Sequence, residues 1–309
     1  MRLLSVVVLL CIIFISSDAL AGQQCGDKRV VFSFDDAPRG GSILMSGAER
    51  TKRIIEALKE GSVKGAAFYS VASHINEANR QRMLDYAEAG HVIANHSLSH
   101  ANLHNVGAER FIEDVSLADE KLKQLPGFQP LFRFPYLNEG KSIEERDAVR
   151  NALSIKGYRQ GYVTIDNFDF YIDNFYRRAV RDKKPVDIKA VEALYVDMIL
   201  SAAEHYDGVA CRWMKRSPAH VLLLHENDVA ALFLPALIDA FKDNSWSIIT
   251  TSEAYKDPIA KVSPATLFLG QGRVAALAKI AGAKDNELRH KGEDTDALDK
   301  LFEQVLKSP

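Results

Sequence analysis

Residues 29–38 read Arg29-Val30-Val31-Phe32-Ser33-Phe34-Asp35-Asp36-Ala37-Pro38. A run of apolar β-formers meets two adjacent carboxylates and then a proline. Arg29–Phe34 reads as a buried strand, and the Ala-Pro step ends it. Adjacent like charges repel, so a double Asp at the end of a buried strand asks for a cation or a proton on one member. A solvated turn would also accommodate the pair. The rest of the chain decides between these readings.

Working outward, similar runs recur at Lys64–Tyr69, His91–Asn95, Leu131–Phe134, Gly161–Ile165, Val221–Leu224 and Trp246–Thr250. Helical periodicity fills the intervals. Ile54, Ile55 and Leu58 share one side of residues 48–60, and Phe111, Val115 and Leu122 share one side of 108–125. Ser142 and Glu145 have the spacing of a capping box. Strands alternating with helices predict an α/β fold with a parallel sheet. Seven units favour a barrel over an open doubly wound sheet, one short of the usual eight. No G-x-G-x-x-G follows the first strand, which argues against a dinucleotide site. Residues 173–217 read as a charged helical insertion between strands five and six. Residues 261–309 form a C-terminal extension of two helices, near 272–283 and 295–307, with a polar, mobile 284–293 between them. The barrel domain is expected over 22–260.

The chain has 309 residues, 47% of them hydrophobic, and a formal net charge of −2, so nothing suggests a nucleic-acid binder or a polybasic membrane sensor. Arg2, the apolar stretch Leu3–Ile15 and Ala19-Leu20-Ala21 make residues 1–21 a secretory signal peptide. The stretch is short for a membrane span, so export to a periplasmic or extracellular space is expected, without stable membrane insertion after cleavage. Beyond it remain Cys25 and Cys211, which an oxidising compartment would allow to pair or which remain two free thiols.

The unusual polar residues all fall at the C-terminal ends of the expected strands. Asp35 and Asp36 follow the first, His96 and His100 the third, Arg133 to Tyr136 the fourth, Asp166 and Asp169 the fifth, and His225 the sixth. In α/β barrels that face holds the active site. His96 and His100 are four apart, which on a helical turn puts both rings on one side. Alone the pair is weak, because nine histidines make it easy to obtain. With Asp36 it becomes a three-ligand set that leaves positions open for water, as in a catalytic metal site. Zinc suits the set, and other divalent ions would fit. Asp35 then stays free to accept a proton. His225, from another strand, is placed to act as a general acid, help worth about 10²–10⁴ in rate. A guanidinium ending a buried strand needs a carboxylate, and Asp35 is the candidate partner of Arg133.

These motifs resemble, in order, those of the polysaccharide deacetylases of carbohydrate esterase family four, the NodB-homology group. The family's T-F-D-D-G-P is similar to Ser33–Pro38, H-S/T-x-x-H to His96–His100, R-x-P-Y to Arg133–Tyr136, D-x-x-D-W to Asp166–Phe170, and L-x-H to Leu223–His225. The resemblance spans about residues 28–255 and implies a distorted (β/α)7 barrel. It implies Asp35 as catalytic base, and Asp36, His96 and His100 as metal ligands. Arg133 would orient the base, and the Tyr136 backbone N–H would help stabilise the oxyanion. Leu223 would line the acetyl pocket. His225 would protonate the leaving amine, tuned by a motif-four acid for which Asp166 is favoured. The implied reaction removes N-acetyl groups from N-acetylglucosamine-type glycans. Phe170 departs from the family's Trp, so the groove wall should differ. Asn138, Glu139, Tyr171 and Glu226-Asn227-Asp228 read as exposed loop polarity. The remaining histidines, His74, His91, His104, His205, His220 and His290, receive no role. Two alternatives remain: a barrel amidohydrolase acting on a small non-sugar amide, and a catalytically silent carbohydrate-binding relative.

Overall fold

The structure, a computed structural model, describes residues 25–267 and 270–306; the expected signal peptide lies outside the described residues. Chain order is β1 (Arg29–Ala37), α1 (Gly47–Glu60), β2 (Ala67–Ser70), α2 (Arg80–Glu88), β3 (Val92–Asn95), α3 (Leu103–Val106), α4 (Ala108–Leu122), β4 (Phe128–Phe132), α5 (Ile143–Ile155) and β5 (Arg159–Gln160). It continues through α6 (Asp169–Arg181), α7 (Ile188–Met214), β6 (Ala219–His225), α8 (Asp228–Asp243), β7 (Ser247–Ile248), α9 (Thr251–Ala254), α10 (Arg273–Ile280) and α11 (Thr295–Val305).

The strands pair in the order β5-β4-β3-β2-β1-β6, all parallel. The sheet curls until its edges meet. The Gly161 N–H donates to the Phe132 carbonyl at 2.6 Å, and the Leu223 N–H donates to the Ile165 carbonyl at 3.1 Å. Residues 161–165 therefore close a distorted α/β barrel between β4 and β6. β7 pairs only with Arg29 and Val30. Because β6 runs along the other edge of β1 from Arg29 to Asp35, β7 shares the edge that β2 occupies higher up.

Strand alternation sorts β1 into two faces. Phe32 and Phe34 point to the helical layer: Phe32 meets Phe241 of α8 at 5.3 Å, and Phe34 stacks on Phe68 at 4.9 Å, which in turn stacks on Tyr86 of α2. Ser33 and Asp35 point inward and both meet Arg133. Below Arg133 runs a column of aromatic and guanidinium groups. The Arg133 Cζ lies 3.8 Å from the Tyr69 ring centre, the Tyr69 and Tyr255 hydroxyls are 3.1 Å apart, and Arg273 covers Tyr162 at 4.1 Å. The barrel interior is thus filled down to its base.

Three expectations need correction. The fifth strand pairs with β4 at Arg159–Gln160, and of the expected Gly161–Ile165 run only Ile165 forms a bridge, to Leu222 of β6. Arg133 donates to the Gly161 carbonyl at 2.8 Å and to the Tyr162 carbonyl at 3.4 Å, so these acceptors serve the guanidinium. The helical stretch after it begins at Asp169, where the Asn167 side chain accepts the Asp169 N–H, and α7 packs on the barrel, with Tyr195 against Phe233 of α8 at 5.9 Å. Residues 284–293 are anchored: Leu288 is fully buried, and Glu293 accepts hydrogen bonds from Tyr206, Gln271 and the His290 backbone. Cys25 and Cys211 form a disulfide that ties the chain ahead of β1 to the last turn of α7.

Candidate active site

The C-terminal rim of the barrel opens into a cleft of about 480 Å³ that contains Asp35, Asp36, His96, His100, Leu223 and His225. Asp35 is buried. Arg133 Nη1 donates to its Oδ1 at 2.6 Å, and Arg133 Nη2 donates to Ser33 Oγ at 2.9 Å, two residues back on the same face. Burial alone would disfavour the Arg133 charge, but the Asp35 carboxylate outweighs it and holds the guanidinium protonated. The second oxygen, Oδ2, lies 3.4 Å from His96 Nε2.

His96 and His100 come together on a tight loop, not on the expected helical turn. Ser97 and His100 take left-handed backbone, with φ of 71° and 58°. Side chains hold that loop: Asn95 Oδ1 accepts the Ser97 N–H at 2.7 Å, Ser97 Oγ accepts the His100 N–H at 2.9 Å, and Asp114 accepts the Leu98 N–H at 2.8 Å. Short polar side chains thus compete with helix formation and win here. His100 Nε2 lies 3.3 Å and His96 Nε2 3.9 Å from Asp36 Oδ1.

Ligand atoms of Asp36, His96 and His100 all fall within 4.8 Å of one another, and their chemistry fits a divalent cation. The Arg133 carbonyl lies 2.9 Å from His96 Nδ1 and can only accept, so Nδ1 carries the proton and Nε2 offers its lone pair to the cleft. Burial opposes the Asp36 charge, yet the imidazoles of His225, His96 and His100, with Arg39, hold its pKa down to about 2. Burial, reinforced by His96, lowers His100 to about 4 against the pull of Asp36. An ionised carboxylate beside a neutral imidazole is the state in which both can act as ligands.

His225 faces this set from β6. The β1–β6 register puts it directly opposite Asp35. Its partner is Asp169, not the expected Asp166. His225 Nδ1 donates to Asp169 Oδ1 at 2.6 Å, while Asp169 Oδ2 accepts the His225 N–H at 2.9 Å and Asn227 Nδ2 at 3.0 Å. Burial alone would lower the imidazole pKa, but the Asp169 carboxylate dominates and raises it to about 9. Asp166 lines the cleft and accepts the Asn167 N–H at 2.8 Å. Burial, with Glu293 nearby, pushes its carboxyl well above the ordinary range.

Tyr136 has left-handed backbone, φ 60°, and its exposed ring packs edge-on against His100 at 4.6 Å. Phe170 packs against His225 at 5.5 Å and forms part of the cleft wall. Glu226, Asn227 and Asp228, expected as exposed loop polarity, are buried. Glu226 pairs with Arg82 at 2.6 Å and accepts the Arg39 N–H at 2.7 Å, and Arg50 donates to Asp228 at 2.8 Å. Glu139 pairs with Arg150 at 2.6 Å, and Tyr171 donates to Asp299 at 3.0 Å. His220 sits in the core between Thr164 and Asp207. Residues that sequence reading missed include Tyr69 under Arg133, Asn167, whose Nδ2 donates to the Leu223 carbonyl at 2.6 Å, and the cleft-lining Arg39 and Arg289. Of these, only Asn167 carried a signal, a polar residue beside Asp166 in a motif already singled out.

Comparison with known proteins agrees with this architecture. Residues 22–160 match the family model for polysaccharide deacetylase. Over 108 residues the chain is 32% identical to the peptidoglycan-N-acetylglucosamine deacetylase of Bacillus cereus, covering 35% of this chain and 36% of the relative. Over 157 residues it is 22% identical to the peptidoglycan-N-acetylmuramic acid deacetylase of Bacillus subtilis, covering 51% and 54%. The matches thus span about a third to a half of these relatives' length. Among solved structures, a peptidoglycan N-acetylglucosamine deacetylase in complex with 4-naphthalen-1-yl-N-oxidanyl-benzamide shares the fold, with a TM-score of 0.52 at 20% identity over 76% of this chain and 90% of that one. Residues 22–160 thus carry this chain's likeness to the polysaccharide deacetylase family.

Proposed function

We propose that this protein is an exported, metal-dependent hydrolase that removes N-acetyl groups from N-acetylglucosamine-containing glycans, such as chitin oligomers or peptidoglycan. The observation that carries the reading is the Asp35–Arg133 pair at 2.6 Å, beside Asp36, His96 and His100 and opposite a His225 held by Asp169. The leader-like residues 1–21 and the Cys25–Cys211 disulfide support export to an oxidising compartment. No helix among the described residues is long and apolar enough to cross a membrane.

Asp36, His96 and His100 would hold the cation. When bound, a divalent ion such as zinc polarises the acetyl carbonyl and acidifies a water. Arg133 occupies Asp35 Oδ1, which leaves Oδ2 to take a proton from the attacking water. The water oxygen adds to the acetyl carbon, and the Tyr136 backbone N–H stabilises the charge on the carbonyl oxygen. Asp169 holds His225 Nδ1, so Nε2 faces the substrate and gives its proton to the leaving nitrogen. The C–N bond breaks, yielding acetate and a free amino sugar. Leu223 and Phe170 supply apolar wall around the acetyl group.

Acetate release from chitin oligomers or peptidoglycan tests the reading. It should be abolished by a chelator, restored by a divalent metal, and lost in Asp35→Asn. Turnover of small amides alone would overturn the glycan assignment, and binding of glycan without any acetate release would identify a silent relative.

A further inference from the structure

Asp36 occupies an unusual place at the end of β1. β2 pairs with Asp35 and with Ala37 and passes over Asp36, which bulges out of the ladder. The pairing with β6 ends one residue earlier, at Asp35 opposite His225. The φ of Asp36 is 71°, a left-handed conformation that a residue other than glycine keeps only where its neighbours impose it. A side chain read as a metal ligand thus stands on a strained turn that neither adjacent strand pairs directly.

Glu226 holds both ends of that turn. Its N–H donates to the Asp35 carbonyl at 2.9 Å, and its Oε2 accepts the Arg39 N–H at 2.7 Å. One residue therefore bridges from the position before Asp36 to the third position after it. Glu226 is fully buried and is itself fixed from behind. Its Oε1 accepts Arg82 Nη2 at 2.6 Å and the Tyr86 hydroxyl at 3.1 Å, both from α2. Arg82 Nη1 also donates to the Arg39 carbonyl at 2.7 Å, and Arg50 of α1 donates to the Gly40 carbonyl at 2.8 Å. Asp228 anchors Arg50 in turn, at 2.8 Å.

Glu226, Arg82 and Arg50 lie behind the cleft and do not line it. As a stability device the cluster is a poor choice, because buried ion pairs lose hydration that a well-packed apolar cluster of the same volume would not. An apolar cluster, however, could not accept the Arg39 N–H or donate to the Arg39 and Gly40 carbonyls. The polar groups are thus explained by the backbone they hold. That backbone is the turn that aims Asp36 at His96 and His100, and Glu226 follows His225 directly in the chain, so the clasp also ties the turn to β6.

We propose that Glu226 is a positioning residue that clasps the turn on both sides of Asp36 and thereby sets the affinity of Asp36, His96 and His100 for a divalent cation. This rests on the reading of those three residues as metal ligands, but affinity is measurable without turnover. Removing a group that orients a metal ligand typically costs about 10–100-fold in affinity, and Glu226→Gln should fall in that range. A carboxamide has one acceptor oxygen, so either way round its N–H group faces the Arg39 N–H or the Arg82 guanidinium, donor against donor. Glu226→Asp keeps the charge beside both arginines but is one methylene too short to meet Arg39 and Arg82 together. It should weaken binding as well, and it replaces Glu226→Gln should that variant fold poorly. Tyr86→Phe removes a bond to the same carboxylate and leaves the turn clasped, so it should lose stability and keep the native affinity. The measurement is zinc affinity by competition with a chromophoric chelator, at a temperature where circular dichroism shows each variant folded. Native affinity in Glu226→Gln, or in Glu226→Asp used in its place, overturns the proposal. So does an equal loss in Tyr86→Phe, which would show that affinity follows stability alone. Weakened zinc binding in the Glu226 variants, with no acetate release by the native protein, leaves the clasp standing and refutes the deacetylase reading. Acetate release with a zinc affinity indifferent to Glu226 does the reverse, and a native protein that binds no divalent metal overturns both.

Discussion

Two carboxylate–cation pairs stand at the ends of the neighbouring strands β1 and β6 on the rim of the cleft, built alike but, on the proposed reading, working in opposite senses. Asp35 meets Arg133 at 2.6 Å, and Asp169 meets His225 at 2.6 Å. On the β1 side the cation is an arginine, which does not titrate in the working range, so the carboxylate is the group left to exchange a proton. On the β6 side the carboxylate is fully buried and the imidazole faces the cleft. On the proposed deacetylase reading, the anion there does the holding and the cation the exchanging, so the identity of the partner, not the distance, gives the base to one strand end and the acid to the other.

The largest expected effects separate the walls outright. His100→Ala should lose the metal and with it essentially all acetate release. His225→Ala should keep a full complement of metal and lose about 10²–10⁴ in kcat. Metal content measured by plasma emission on both purified variants checks this. A metal-free His225→Ala protein would break the comparison, because it would place His225 among the ligands.

Asp169→Asn should produce the next largest change, on the order of 10² in kcat, together with a displaced pH profile. The general acid must be protonated to act. In the folded protein His225 keeps its proton up to about pH 9, so kcat/KM should hold through neutrality and fall above that value. Without the Asp169 charge, burial acts on the ring less opposed, and the alkaline limb should move down towards the unperturbed value of about 6.5. A bound cation repels the imidazolium in both proteins, so the displacement between the two profiles is the quantity to read. An unmoved limb would mean that Asp169 does not set the acid.

Sequence alone went far on the first wall and less far on the second. Asp35, Asp36, His96, His100 and Arg133 were legible because each sits at or near the end of an apolar strand, and a parallel barrel sends such ends to one rim. His225 was legible for the same reason. Its partner was not, because Asp166 and Asp169 differ by three residues and the choice depends on where α6 begins. Asn167 decides that by accepting the Asp169 N–H, a local side-chain bond that periodicity does not reveal. The His96–His100 loop was misread as helical because the spacing of four is the same in both; left-handed backbone at Ser97 and His100 makes the difference. The burial of Glu226 and Asp228 was hidden because their partners, Arg82 and Arg50, are distant in sequence and look like ordinary helix-surface cations.

Gly161 offers a finer test of why the Asp35 wall is rigid. It is the first residue of the segment that closes the barrel, and its carbonyl receives Arg133 Nε at 2.8 Å. A Cβ at this position would lie 2.3 Å from Tyr69 Cε1 and 2.7 Å from the Tyr69 hydroxyl. Tyr69 cannot retreat easily: it is fully buried, Arg133 covers its face at 3.8 Å, and its hydroxyl is tied to Tyr255 at 3.1 Å. Gly161→Ala should therefore cost about 1–3 kcal/mol of stability in a denaturant titration, the range for overpacking a filled core. Displacing Tyr69 should also tilt Arg133 and loosen its grip on Asp35, so kcat should drop while the alkaline limb set by Asp169 stays where it is. A stability loss with no change in kcat would show that the column below Arg133 only fills space. A shift in the alkaline limb would show instead that the two walls are mechanically coupled through the closing segment.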